Sequence, residues 1–170
     1  MRSFPHPLWF VSPHENGLER MAKEISRQQK WDYRFLDLCK LISLWSKDPS
    51  TKVGAVITRG IQIVSLGYNG LPQQVIDDKD ILDNRWEKYK YIIHAEMNAV
   101  LTAKCSLDGC TLYTFPFLPC TNCASMTVQS GISRVVSIKC VDNRWEENLN
   151  NSKILFNKAN VDVTEYSVYT

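Results

Sequence analysis

The sequence predicts one α/β domain in three layers, α/β/α, built on a mixed five-stranded sheet. Three observations point there. Apolar periodicities follow the order α-β-β-α-β-α-β-α-β along 170 residues. The first two β segments are close enough for a hairpin, whereas helices separate the later ones. Residues are 44% apolar and 22% charged, ordinary values for a globular chain able to bury a core without disulfides.

Residues 1–17 hold Pro5, Pro7, Pro13 and Gly17 without apolar periodicity and read as an N-terminal arm, with a single domain over 18–170. A helix is expected from Trp31 to Lys47, where Phe35, Leu38, Cys39, Ile42 and Trp45 form one stripe, stopped by Asp48-Pro49. Val53–Ile57 and Ile61–Leu66 read as a hairpin, the first strand apolar enough to be buried on both faces. Gly67-Tyr68-Asn69-Gly70-Leu71-Pro72 follows as a loop at a strand end, a place where sites are built. Residues 73–93 are an acidic connection whose Trp86, Tyr89 and Tyr91 suggest packing against a further surface, such as a neighbouring subunit. Then come a helix (His94–Lys104), a strand (Cys110–Phe115), a Pro116/Pro119 loop, a helix (Thr121–Ser130) and a strand (Val135–Ile138). A helix (Ser152–Ala159) and a weakly marked strand (Val161–Tyr166) complete the order.

Net charge is +2 with scattered basic residues, so no basic stripe marks a nucleic-acid partner, and a small ligand fits better. No apolar run approaches the roughly 18 residues of a membrane span. The expectation is a cytoplasmic protein, where a Cys-x-x-Cys pair among six cysteines is a metal or redox element rather than a disulfide.

The chemistry concentrates between His94-Ala95-Glu96 and Pro119-Cys120-Thr121-Asn122-Cys123. Cys120 and Cys123 at i and i+3 share one side of a first helical turn, where the helix dipole favours thiolates. His94 is the one histidine outside the arm, whose His6 and His14 read as solvated. Three protein ligands leave a tetrahedral zinc one open position, as catalytic sites require. A structural zinc would want a fourth ligand, and a thioredoxin-like pair would leave His94 and Glu96 unexplained. Residues at i and i+2 do not face each other on a helix, so His94 belongs at the helix lip and Glu96 in its first turn. There Glu96 is displaced from the metal but near a water that the metal acidifies.

The pattern H-x-E…P-C-x-x-C is the recognised signature of zinc deaminases. With Asp48-Pro49-Ser50-Thr51-Lys52-Val53-Gly54-Ala55-Val56, the Gly67–Pro72 loop, Gln129-Ser130-Gly131-Ile132 and Ile154–Ala159, the chain resembles the cytidine deaminase superfamily over about residues 20–166. Within it, the Gly-Tyr-Asn-Gly loop and the long insert before His94 resemble the deoxycytidylate (dCMP) deaminases. The resemblance implies zinc on His94, Cys120 and Cys123, with Glu96 carrying a proton from water to the cytosine N3 and on to the leaving ammonia. The product would be dUMP for thymidylate synthesis. It further implies substrate contacts from Asn69, the Ala95 N–H, Trp145 and Lys52. A homohexamer activated by dCTP and inhibited by dTTP with Mg2+ would use Tyr68, Asn69 and Gly70, with the 73–93 insert, as an effector region. Deamination of another cytosine or purine, tRNA adenosine included, and a catalytically silent zinc scaffold remain the alternatives.

Overall fold

The computed structural model describes residues 26–167, so the arm expected over 1–17 lies outside them. The elements are α1 (Arg27–Ser43), β1 (Gly54–Arg59), β2 (Gln62–Tyr68), α2 (Lys79–Asp83), α3 (Arg85–Tyr91) and α4 (Ala95–Thr102). They continue with β3 (Thr111–Phe115), α5 (Thr121–Gln129), β4 (Arg134–Ile138), a 3-10 turn (Asn143–Trp145), α6 (Glu146–Lys158) and β5 (Asp162–Tyr166). The sheet order is β2-β1-β3-β4-β5. β1 is antiparallel to both neighbours, while β3, β4 and β5 run parallel, which makes the expected mixed five-stranded sheet.

Strand alternation divides the core between two faces. Val56, Tyr113 and Val136 pack with Phe35, Leu36, Cys39 and Ile42 of α1. Their neighbours Ala55, Ile57, Leu112 and Val135 pack beneath Ala95, Ala99, Ala124 and Phe156 of α4, α5 and α6. The sheet is therefore covered on both sides, and β1 is buried along all but its last residue. No helix among the described residues is long and apolar enough to cross a membrane.

Helix limits depart from the sequence expectation for local reasons. α1 begins earlier than Trp31 because Ser26 and Gln29 form a reciprocal capping box. It ends before Trp45, where Leu44, Trp45 and Ser46 bond back three residues and tighten the chain. Trp45 is thus off the core stripe, 52% exposed and edge-on to Tyr68. α6 starts six residues before Ser152, because Asp142 caps a 3-10 turn that feeds straight into it. The acidic connection contains two short helices, capped by Asp78 and Asn84, and its Trp86 is 80% exposed.

One buried cluster ties α1 to the parallel strands. Arg134 donates to both carboxylate oxygens of Asp32 at 2.9 and 2.7 Å. The hydroxyls of Tyr113 (2.8 Å) and Tyr166 (2.7 Å) and the amide of Gln28 (2.9 Å) donate to the same group. Burial pushes the Asp32 carboxyl up, but these donors, Arg134 foremost, outweigh it and hold it at about 2. A carboxyl held below its unfolded value of about 3.9 stabilises the fold above that pH and loses the contribution as pH falls towards its folded value. Asp32→Ala should therefore lower stability by about 3–5 kcal/mol in urea unfolding at neutral pH. The variant should also lack the part of the wild-type stability loss that falls between about pH 4 and pH 2.

Candidate active site

Two helix starts build the site. His94 is the N-cap of α4 and Cys120 the N-cap of α5, each in extended backbone with no side-chain cap bond of its own. Neither N-cap side chain therefore occupies the first N–H groups of its helix. α4 reaches its place by lying against β2 where Gly67 has no side chain. A Cβ there would stand 2.4 Å from the Ala95 carbonyl oxygen and 2.5 Å from the Ala99 nitrogen. Ser65 Oγ donates to the Ala99 carbonyl (2.7 Å) and the Asn98 amide to the Tyr68 carbonyl (2.7 Å), which pins the helix to the strand. α5 is fixed from the other side by Asn148 of α6, whose Oδ1 accepts from the Thr121 N–H at 2.9 Å.

His94 Nδ1 lies 3.4 Å from Cys120 Sγ and 3.3 Å from Cys123 Sγ, and all three donor atoms are within 4.8 Å of one another. Tetrahedral zinc with N and S ligands needs donor separations of about 3.6 Å. One imidazole and two thiols in this geometry fit zinc, and among the described residues no other group of three such donors comes together. Cys105, Cys110 and Cys140 stay apart from it.

The electrostatics suit a metal ligand set. A hydrogen bond from Cys123 holds the Cys120 thiol down at about 4, whereas donating that bond, together with burial, pushes Cys123 up. The pair thus keeps one proton between two sulfurs. The same Cys120 sulfur raises His94 above its ordinary value. Glu96 is 3% exposed, and burial raises its carboxyl, which reaches its own backbone N–H and the Cys123 thiol.

A cavity opens from this cluster. His94, Glu96 and Cys120 line it together with Asp48, Ser50, Thr51 and Asn69. Its other walls come from Arg85, Lys88 and Tyr89 of α3 and from Phe117, Arg144 and Trp145. Trp145 packs on Phe117 with ring centres 5.3 Å apart. Asn69 is buried, its amide donating to the Thr51 carbonyl (2.9 Å) and Asp48 Oδ2 (3.3 Å), its oxygen accepting from the Val53 N–H (2.8 Å). Lys52 is exposed and stands outside the cavity wall. The cations that do line it, Arg85, Lys88 and Arg144, carried no sequence signal beyond their charge; Lys88 and Arg85 lie in the acidic insert. Tyr68 is exposed beside Trp45, and Gly70 pairs with Ile93 through two backbone bonds next to His94.

A three-layer sheet carrying a His-Cys-Cys cluster and a buried carboxylate at paired helix starts defines a zinc-dependent hydrolase of the deaminase class. The chain belongs to the cytidine and deoxycytidylate deaminases: the profile of that family's zinc-binding region matches residues 29–139. It is 46% identical over 138 residues to an uncharacterised deaminase of Aliivibrio fischeri, covering 79% of this chain and 92% of the relative. It is 34% identical over 144 residues to the human deoxycytidylate deaminase, with 81% and 80% covered. Its fold matches the dCMP deaminase of cyanophage S-TIM5, solved with dCMP and dUMP, at a TM-score of 0.65 and 22% identity over 85% of this chain and 100% of that one.

Because its bond to Cys120 and its burial push the Cys123 thiol up, and zinc binds thiolate, zinc uptake displaces the Cys123 proton. Titrating zinc into the metal-free protein in weak buffer near pH 7 should release about one proton or more per chain, and zinc affinity should fall as pH is lowered. Cys123→Ser should lose the metal, read as zinc per chain after gel filtration.

Proposed function

We propose that the protein hydrolyses the 4-amino group of dCMP, giving dUMP and ammonia. The observation that carries this reading is the single cavity that runs from the His94–Cys120–Cys123 cluster and Glu96 to Ser50, Thr51, Arg85 and Arg144. A nucleobase fits the first part. Hydroxyls and the guanidinium groups of Arg85 and Arg144 line the rest, the first stacked over Tyr89 and the second paired with Asp142, and their positive charge suits a phosphate. The named activities of the human and phage proteins support the same substrate.

Zinc, when bound by His94, Cys120 and Cys123, supplies the Lewis acidity that makes water a nucleophile near neutral pH. The water oxygen forms a bond to C4 of the pyrimidine, and the C4–N4 bond breaks. Glu96 moves the protons. Its burial raises the carboxyl, so its anion is base enough to take a proton from the water, and its acid form can then protonate N3. Glu96 then takes the remaining proton from the new C4 hydroxyl and gives it to the amino group, which leaves as ammonia while the C4 carbonyl forms. The Ala95 N–H, a first-turn donor of α4 with no partner inside the helix, is suited to the base O2. Asn69 keeps one Oδ1 lone pair for the sugar, and Trp145 offers a flat apolar wall.

The same proposal includes a homohexamer whose activity responds to dCTP and, with Mg2+, to dTTP through the Tyr68–Gly70 segment. What supports such a surface is the exposed Tyr68–Trp45 pair and the Lys47–Asp77 ion pair linking the exit of α1 to the insert.

Zinc-loaded protein given dCMP should yield dUMP and ammonia in equal amounts. Glu96→Gln should keep its zinc while losing about 10³-fold or more in rate. Turnover of deoxycytidine with dCMP untouched would contradict the reading.

A further inference from the structure

Lys88 and Asp48 form an ion pair withdrawn from water inside the cavity wall. Lys88 is 3% and Asp48 4% exposed, with Nζ 2.7 Å from Oδ1. Desolvating two ions costs about as much as their attraction returns, so an apolar pair of similar volume would stabilise the fold as well or better. What the pair provides is a fixed geometry. Asp48 accepts from the Ser50 N–H (2.8 Å), the Thr51 N–H (3.2 Å) and the Asn69 amide (3.3 Å). Lys88 Nζ also donates to Ser50 Oγ at 3.0 Å. One carboxylate therefore sets the turn that carries two cavity hydroxyls and holds Asn69 against it.

Lys88 sits on α3, a helix that needs such an anchor. Helices α2 and α3 pack on each other, and neither makes an extended contact with a strand or another helix among the described elements. Trp86, Tyr89 and Tyr91 of α3 are exposed. Yet Arg85, Tyr89 and the adjoining Ile92 line the cavity. The bond to Asp48 spans 40 residues and is the buried polar link between this helix and the Ser50–Thr51 turn.

We propose that Lys88 and Asp48 are a positioning pair for substrate binding, clamping the insert helix onto the Ser50–Thr51 turn so that the two walls of the cavity stand at the spacing a nucleoside monophosphate requires. This rests on the reading of the cavity as a dCMP site. The pair acts through the walls it holds, and Lys88, its charge balanced by Asp48, does not serve as a phosphate ligand.

The test is calorimetric titration of dCMP into zinc-loaded Glu96→Gln protein, alone and combined with Lys88→Met, Lys88→Arg or Asp48→Asn, with steady-state kinetics of the same changes in the active enzyme. Lys88→Met should weaken binding about tenfold or more and raise KM in step, with kcat changed less and zinc content unchanged. Lys88→Arg, which can still bridge Asp48 and Ser50, should restore most of the affinity. Asp48→Asn should weaken binding as Lys88→Met does. Tighter binding in Asp48→Asn would mean that a freed Lys88 grips the phosphate directly, and would overturn the proposal. So would unchanged dCMP affinity in Lys88→Met, whatever its thermal stability. Should Lys88→Met fail to fold, the Asp48→Asn comparison decides alone. No dCMP binding to Glu96→Gln with Lys88 intact would instead overturn the dCMP reading, and the positioning role with it.

Discussion

Everything at this site depends on the start of α4 coming close enough to the start of α5 for one imidazole and two sulfurs to meet. That approach is a steric constraint before it is a chemical one. Gly67 lets the backbone of α4 lie directly on β2, and Ala95, Ala99 and Ala124 keep the layer beneath thin and fully buried. The parallel pairing of β3 with β4 sends α5 back across the same face, so both helices begin at the same end of the sheet. Two positive helix ends then face one space, which favours the thiolate and the carboxylate gathered there.

The cluster and Glu96 divide the work by burial. The bond between the two sulfurs holds Cys120 down and pushes Cys123 up, so a metal displaces the Cys123 proton. Glu96, two residues beyond His94 and in the first turn of α4, stands beside the donor set, where a raised carboxyl can exchange protons in both directions. The rest of the cavity is built differently. Its walls come from α3, the Ser50–Thr51 turn and the Arg144–Trp145 turn, elements far apart in the chain and joined by side chains rather than by the sheet.

That division explains what could be read from the sequence. The sheet, its five strands and the two helix starts were legible because each follows from local periodicity or from a spacing of two or three residues. His94 at the lip of its helix was legible for the same reason. The limits of α1 were less so: its start is set by the Ser26–Gln29 capping box, and its end by a tightened turn that ejects Trp45 from the stripe. The Asp48–Lys88 pair left no trace, since its partners are 40 residues apart and the aromatics of the acidic insert pointed to an outer surface rather than to the cavity. Lys52, named through the family resemblance, stands outside the cavity wall, whereas Arg85 and Arg144 are carried to it by tertiary placement.

The central claim is that this chain holds a catalytic zinc with a position left open for water. Zinc K-edge X-ray absorption on the purified, zinc-loaded protein tests it directly. The account predicts two sulfurs, one imidazole nitrogen and one exchangeable light atom around the metal. A closed set of four protein ligands, or a third sulfur, would contradict it.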